Sequence, residues 1–239
     1  MIDKYFHIKG DYILNDSGLY DINGSIVLKP TNIKKLPIKL GKVTRNLYFC
    51  NNTLESLEGF PYHVGGDFSI AFNNIDSLKG CPTYIGGYFH CHDNILKSLT
   101  HFPEHVGGSI DISSNDINSL KYLDKKSIYG DFSCFHNNLI TLEGSPELIK
   151  GSFDLSYNQI KYLSFCPRYV GCSFYCQFNE LKTLKGSPEK IKSDFFCYNN
   201  YLTSLEFLPK SILGKLECDK HLKNTKEYKF YKIKKKLRE

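Results

Sequence analysis

The sequence predicts a solenoid of stacked coils with a parallel β-sheet on its concave face, an extended or 3-10 convex side, and capped ends. Three observations predict it: a column of asparagines at a nearly fixed step, four apolar columns that travel with it, and a proline in almost every connecting arm. Across 239 residues the asparagines are Asn52, Asn73, Asn94, Asn115, Asn137, Asn158, Asn179 and Asn200, spaced by 21 residues with a single step of 22 after Asn115. A period of this size marks one coil per repeat, each stacked on the last.

Two residues after each asparagine stands Leu54, Ile75, Leu96, Ile117, Leu139, Ile160, Leu181 or Leu202, and five after it a leucine without exception, from Leu57 to Leu205. Five before it comes Leu47, Phe68, Phe89, Ile110, Phe132, Phe153, Phe174 or Phe195, and three before it Phe49, Ile70, Cys91, Ile112, Cys134, Leu155, Cys176 or Cys197. Alternation at the last two positions is a short strand with one face buried. The asparagine sits where the chain turns inward, and its amide can satisfy the backbone groups that a turn leaves unpaired. Eight such residues in one column argue for a continuous ladder, because a buried amide without partners is costly.

The resulting pattern, apolar-x-apolar-x-x-Asn-x-apolar-x-x-Leu, resembles the leucine-rich repeat, and covers residues 26–219 as about nine coils. The return arms read Leu-x-Gly-x-Pro-x-x-Val-Gly-Gly, with proline at 61, 82, 103, 146, 167, 188 and 209. Proline disfavours a helix in each arm. In this the chain resembles the short, proline-containing repeats of bacterial effectors and of phage and large DNA virus repeat proteins. That resemblance implies a protein-protein interaction module, in the viral case a factor acting on a host or defence protein. Some similar effectors carry a separate cysteine ubiquitin-ligase domain; about twenty residues follow the last coil here, so that activity is not carried over.

Taken in order, residues 1–25 fall outside the repeat and read as an N-terminal capping hairpin, with a turn at Asn15-Asp16-Ser17-Gly18. Residues 26–46 are a degenerate first coil in which Thr31 replaces the asparagine. A glycine column (Gly66, Gly87, Gly108, Gly130, Gly151, Gly214) precedes the strands and marks a tight turn needing small or positive-φ residues. One arm differs: Lys121 to Tyr129, including Lys125, lacks the usual Gly and Pro and is one residue longer, which predicts a bulge. After the last strand, Leu216-Glu217-Cys218, residues 220–239 form a basic C-terminal cap. Asn224-Thr225 caps a predicted helix carrying Tyr228, Phe230, Tyr231, Ile233 and Leu237, whose apolar side closes the open end while its lysines face water.

Net charge is +6, but the tail holds nine Lys/Arg against two acids, so the body is close to neutral. A solvated cap face accounts for this tail; nucleic-acid binding through 220–239 is the alternative function. Nine cysteines form no C-x-x-C pair, and five of them occupy the inward strand column as small core residues. Residues Met1 to Asp11 hold no signal-peptide run and no stretch approaches ~18 apolar residues, so the reading is cytoplasmic, in the host cytoplasm if viral, with no membrane partner.

Function is expected on the exposed strand positions. Across 47–214 these columns carry aromatics and carboxylates and no Lys or Arg. The candidate partner-binding residues are Tyr48, Asp67, Tyr88, His90, His92, Asp111, Asp131, Phe135, Asp154, Tyr157, Tyr175, Phe178, Phe196 and Tyr198. Rings among acids suit a protein partner with a basic contact surface, and Tyr175, Phe196 and Tyr198 are the expected hot spot. His90, His92, Asp93 and Asp111 fall on adjacent strands, but two histidines on an open sheet lack a closed ligand shell. No catalytic residue, metal or cofactor is expected.

Overall fold

The computed structural model describes residues 2–124 and 126–238; Met1, Lys125 of the odd arm and Glu239 of the tail lie outside the described residues. The chain divides into two compact units, Met1–Ile117 and Asn118–Glu239.

In the first unit a helical turn, α1 (Ile2–Tyr5), leads into a hairpin of β1 (Phe6–Leu14) and β2 (Tyr20–Leu28), paired antiparallel throughout. The expected boundary at 25/26 falls inside β2, because that strand starts both ladders of the unit. Its second half pairs in parallel with Leu47–Tyr48, and its first half with Leu40–Val43. From there one ladder runs through Phe68–Ser69 and Phe89–His90 to Ile110–Asp111. The other runs through His63–Val64 and Tyr84–Ile85 to His105–Val106. The second unit repeats the scheme. Phe132–Ser133, Phe153–Asp154, Phe174–Tyr175, Phe195–Phe196 and Leu216–Glu217 stack in register. Ser127–Ile128, Leu148–Ile149, Tyr169–Val170, Lys190–Ile191 and Ser211–Ile212 form the return ladder.

The extended return arms pair into a second parallel ladder, a pairing that the expectation of an extended or 3-10 convex side did not specify. The Val/Ile column explains it: Val64, Ile85, Ile128, Ile149, Val170, Ile191 and Ile212 are buried and hold adjacent arms at strand spacing. The odd arm makes a 3-10 turn at Lys121–Leu123, with Leu123 buried.

Between the ladders lies a narrow core of in-register columns. Phe68 stacks on Phe89 with ring centroids 5.5 Å apart, and Phe132, Phe153, Phe174 and Phe195 stack at 5.4, 5.6 and 5.5 Å. Each such ring, fully buried, contributes roughly 1.5–3 kcal/mol relative to exposure. Cys91, Cys134, Cys176, Cys197 and Cys218 fill the neighbouring column, buried, and no disulfide joins cysteines among the described residues. Burial pushes the Cys91, Cys176 and Cys197 thiols well above their ordinary range, and that of Cys218 up to about 11, so these thiols are inert core groups rather than nucleophiles.

The asparagines are buried in a ladder. The Asn73 amide nitrogen donates to the carbonyls of Phe49, Ile70 and Ala71 at 2.9, 3.0 and 3.2 Å, and its oxygen accepts the Leu54 N–H at 3.0 Å. Asn94 and Asn115 in the first unit, and Asn158, Asn179 and Asn200 in the second, repeat this arrangement. Each amide thus bonds its own turn and the preceding coil together.

The glycine column before the strands is explained by space. A Cβ at Gly66 would overlap the Asn46 side chain, and one at Gly87, Gly151 or Gly214 would overlap Asp67, Asp131 or Asp194. Positive φ occurs instead two residues after the repeat leucine, where Gly59, Gly80, Gly144 and Gly186 alternate with His101, Phe165 and Phe207 at φ 66, 67 and 65°. A bulky residue in that region costs about 1–2 kcal/mol, and Phe165 is 66% exposed, so little packing offsets it. Phe165→Asn is expected to stabilise the second unit by about 1 kcal/mol, read as a raised denaturant midpoint; a lowered midpoint would show that the ring contributes packing.

The tail begins with a 3-10 turn, Lys220–Asn224, that buries Leu222, and continues as α2 (Lys226–Lys236), whose N-cap is the Thr225 hydroxyl accepting from the Tyr228 N–H. The expected apolar closure differs from what is found. No residue of α2 is buried. The helix is held by polar anchors: Tyr231 accepts the Leu216 N–H at 2.9 Å and donates to the Gly214 carbonyl at 2.7 Å, and Arg238 donates to the Ile212 carbonyl at 2.9 Å. Phe230, Ile233 and Leu237 point to solvent.

Candidate functional site

Strand periodicity places the candidate residues on the unburied side of the strands, and bonding divides them into two groups. The carboxylates and the pre-strand column are occupied by the backbone. Asp67 Oδ1 accepts the Tyr88 N–H at 3.0 Å, Asp131 Oδ1 that of Ser152 at 2.7 Å, and Asp194 Oδ1 that of Lys215 at 2.7 Å. Asn46 serves Asp67 in the same way at 2.9 Å. This is a second side-chain ladder, one coil per step, and it accounts for the Asn, Asp and Ser of that column without any partner. Asp111 and Asp154 each accept from the N–H and hydroxyl of the serine two residues on, Ser113 and Ser156, both buried. Tyr48 is turned onto Asp67, its hydroxyl 3.0 Å from Oδ2; burial, then that bond, raises its pKa.

In the first unit, Tyr88 lies parallel to His90 at 6.0 Å and His90 is 6.0 Å from His92. His92 Nδ1 sits 2.8 Å from Asp93 Oδ2, and its ring meets Phe72 edge-on at 5.0 Å. Among the described residues no group of three or more His, Cys, Asp or Glu side chains is placed to hold a metal ion.

The rings of the second unit assemble. Tyr175 stacks on Phe196 at 4.9 Å and 7°. Tyr157 stacks on Phe178 at 4.2 Å and 11°, and Phe178 meets Tyr198 edge-on at 5.5 Å and 77°. Tyr198 follows Phe196 by two residues, just past the end of the Phe195–Phe196 strand, so the stacked pair and the group of three rings are neighbours along the chain. Phe135, half-buried two coils before Phe178, is not brought into a ring contact with them in the same way.

Two of the rings are held at a conformational cost. The residue before each ladder asparagine has φ between 49 and 56°, and at most coils it is Asn, Asp, Ser or His, which tolerate that region. Tyr157 and Phe178 occupy it at φ 54 and 56°, as does Phe72 of the first unit at 55°. Beneath the patch, Gln177 is buried and its amide oxygen has no hydrogen-bond donor among the described residues. Gln177→Met removes that orphaned acceptor at similar volume and is expected to raise stability by about 1 kcal/mol; an unchanged or lower melting temperature would mean that the amide has a structural role.

No protein-family model matches this chain, and no curated protein matches it. Among solved structures, YopM from Yersinia enterocolitica WA-314 matches with 21% sequence identity and a TM-score of 0.48, over 78% of this chain and 55% of that one. The match thus spans about half the length of that chain. Each unit is a leucine-rich repeat solenoid. The parallel strand ladders and the buried asparagine amides bonded coil to coil are the architecture that the repeat pattern implied. No helix of the described residues is long and apolar enough to cross a membrane.

The sequence-derived candidates include the five rings that the structure brings near one another but not Gln177, the buried group beside them. They also pass over Phe165 and Phe207, although a phenylalanine in a column held mostly by glycine is a readable flag of an unusual backbone.

Proposed function

We propose that this chain is a non-enzymatic protein-interaction module, and that the patch of Tyr157, Tyr175, Phe178, Phe196 and Tyr198 is where a partner protein docks. The observation that carries the reading is the pairing of rings on neighbouring coils, Tyr175 on Phe196 at 4.9 Å and Tyr157 on Phe178 at 4.2 Å, with Tyr198 edge-on to Phe178. Half-buried, mutually stacked rings present a large rigid area at little entropy cost, which is the composition of interface anchors. Asp154 and Asp194 flank the strands that carry the rings; their bonds to the Ser156 and Lys215 N–H groups do not remove their charge, and a partner surface rich in Arg or Lys complements them. The test is capture of partners from cell extract by the full chain and by variants of the patch, developed below.

A further inference from the structure

We infer that α2 is a membrane-surface element: a basic amphipathic helix that seats the second unit on an anionic bilayer. The inference rests on the side of α2 that the fold leaves open. Phe230, Ile233 and Leu237 are 57, 56 and 82% exposed. Their spacing of three and four residues places them in one stripe along the helix. Tyr231, on a different side, is pinned by its two hydrogen bonds to Gly214 and Leu216, and Arg238 ties the helix end to Ile212, so the stripe is held outward. At 3.6 residues per turn, Lys229, Lys232 and Lys236 line one border of the stripe and Lys234 the other, all exposed. Lys234 also lies over the Phe230 ring, its Nζ 4.5 Å from the centroid. Phe207, half-exposed and held at φ 65°, faces Phe230 across a groove of about 300 Å³ lined also by Leu205, Leu208 and Ile212.

Charge decides among occupants. Glu227, the acid within α2, is 25% exposed, lies 3.9 Å from Lys226 and lines the groove beside Phe230 together with Glu206; Lys229, Lys232, Lys234 and Lys236 outnumber these two acids, so the open side is net cationic. A second copy of the chain would set two lysine-bordered stripes against each other. A nucleic-acid duplex would use the lysines and leave the apolar stripe in water. An anionic bilayer answers both features: the three side chains enter the acyl boundary while the lysine stems reach back to the headgroups. This is attachment to a surface and differs from crossing it.

Co-sedimentation of the full chain with mixed phosphatidylserine/phosphatidylcholine vesicles tests the inference, with pure phosphatidylcholine vesicles alongside. Binding to the mixed vesicles that weakens with added salt is expected, and about tenfold less binding to the neutral ones. Phe230→Ser/Ile233→Ser/Leu237→Ser and Lys229→Gln/Lys232→Gln/Lys236→Gln should each reduce the vesicle partition by about tenfold or more with an unchanged melting curve, since every altered side chain is exposed. Failure to bind the mixed vesicles overturns the inference, as does equal binding to neutral ones. Vesicle binding that the serine variant leaves intact overturns it too, since the lysines alone then suffice. So does a duplex DNA affinity exceeding the vesicle affinity and insensitive to the serine variant, or a concentration-dependent dimer that the serine variant dissolves.

Discussion

Asn158→Ala is expected to destabilise the second unit by about 3 kcal/mol or more. The side chain is buried, accepts the Leu139 N–H at 3.0 Å, and donates to the carbonyls of Cys134, Leu155 and Ser156 at 3.1, 3.1 and 3.2 Å. Alanine removes all four bonds and leaves a donor and several acceptors in a space too apolar to hydrate them. Each orphaned group costs about 1–3 kcal/mol, and no neighbouring side chain can turn to replace them inside a column this narrow. Asn158→Asp sharpens the test. It keeps the shape and the acceptor but sets a carboxylate against three carbonyl oxygens, so it should be at least as damaging at neutral pH. Denaturant unfolding with an unchanged slope measures both. A loss below about 1 kcal/mol for alanine would mean that the coils are held by packing alone.

The second large effect concerns the ring patch. Tyr175→Ala/Phe196→Ala/Tyr198→Ala is expected to weaken partner capture by about a hundredfold or more, since clustered aromatic anchors each contribute about 2 kcal/mol or more to an interface. These rings also pack on one another, so the triple variant loses some stability. Tyr157→Asn/Phe178→Asn separates the two effects. It removes two bulky left-handed residues, each costing about 1–2 kcal/mol, and forfeits ring stacking of about 0.5–1.5 kcal/mol. The net expectation is a fold that is as stable or more stable, and a partner that no longer binds. If both variants retrieve the same proteins as the parent, the patch is not the docking surface.

Much of this was readable beforehand, and the rest has identifiable causes. The inward columns and the asparagine ladder were legible because one periodic constraint repeats eight times and burial admits few residue types. The return ladder was not, since two-residue strands such as His63–Val64 are too short to show alternation. The backbone bonds of the carboxylates were not legible for a different reason. Asp67 and Asp131 look like exposed acids in sequence, and only the stacked backbone reveals an unpaired N–H 21 residues on. On the tail, periodicity offers two apolar arcs, one with Tyr228 and Tyr231 and one with Phe230, Ile233 and Leu237. Which arc docks is settled by the Tyr231 hydroxyl finding Gly214, a contact no helical wheel contains.

The reach of each asparagine amide bears on how such a chain changes in length. Its bonds extend to its own turn and to one neighbour, as Asn179 does to Leu155, Cys176 and Gln177, and no further. Recombination that adds or deletes one whole period within a unit therefore restores every bond at the new junction. Such events reshuffle which rings and acids stand side by side, so a new docking surface can arise by slippage of the gene before any point mutation refines it.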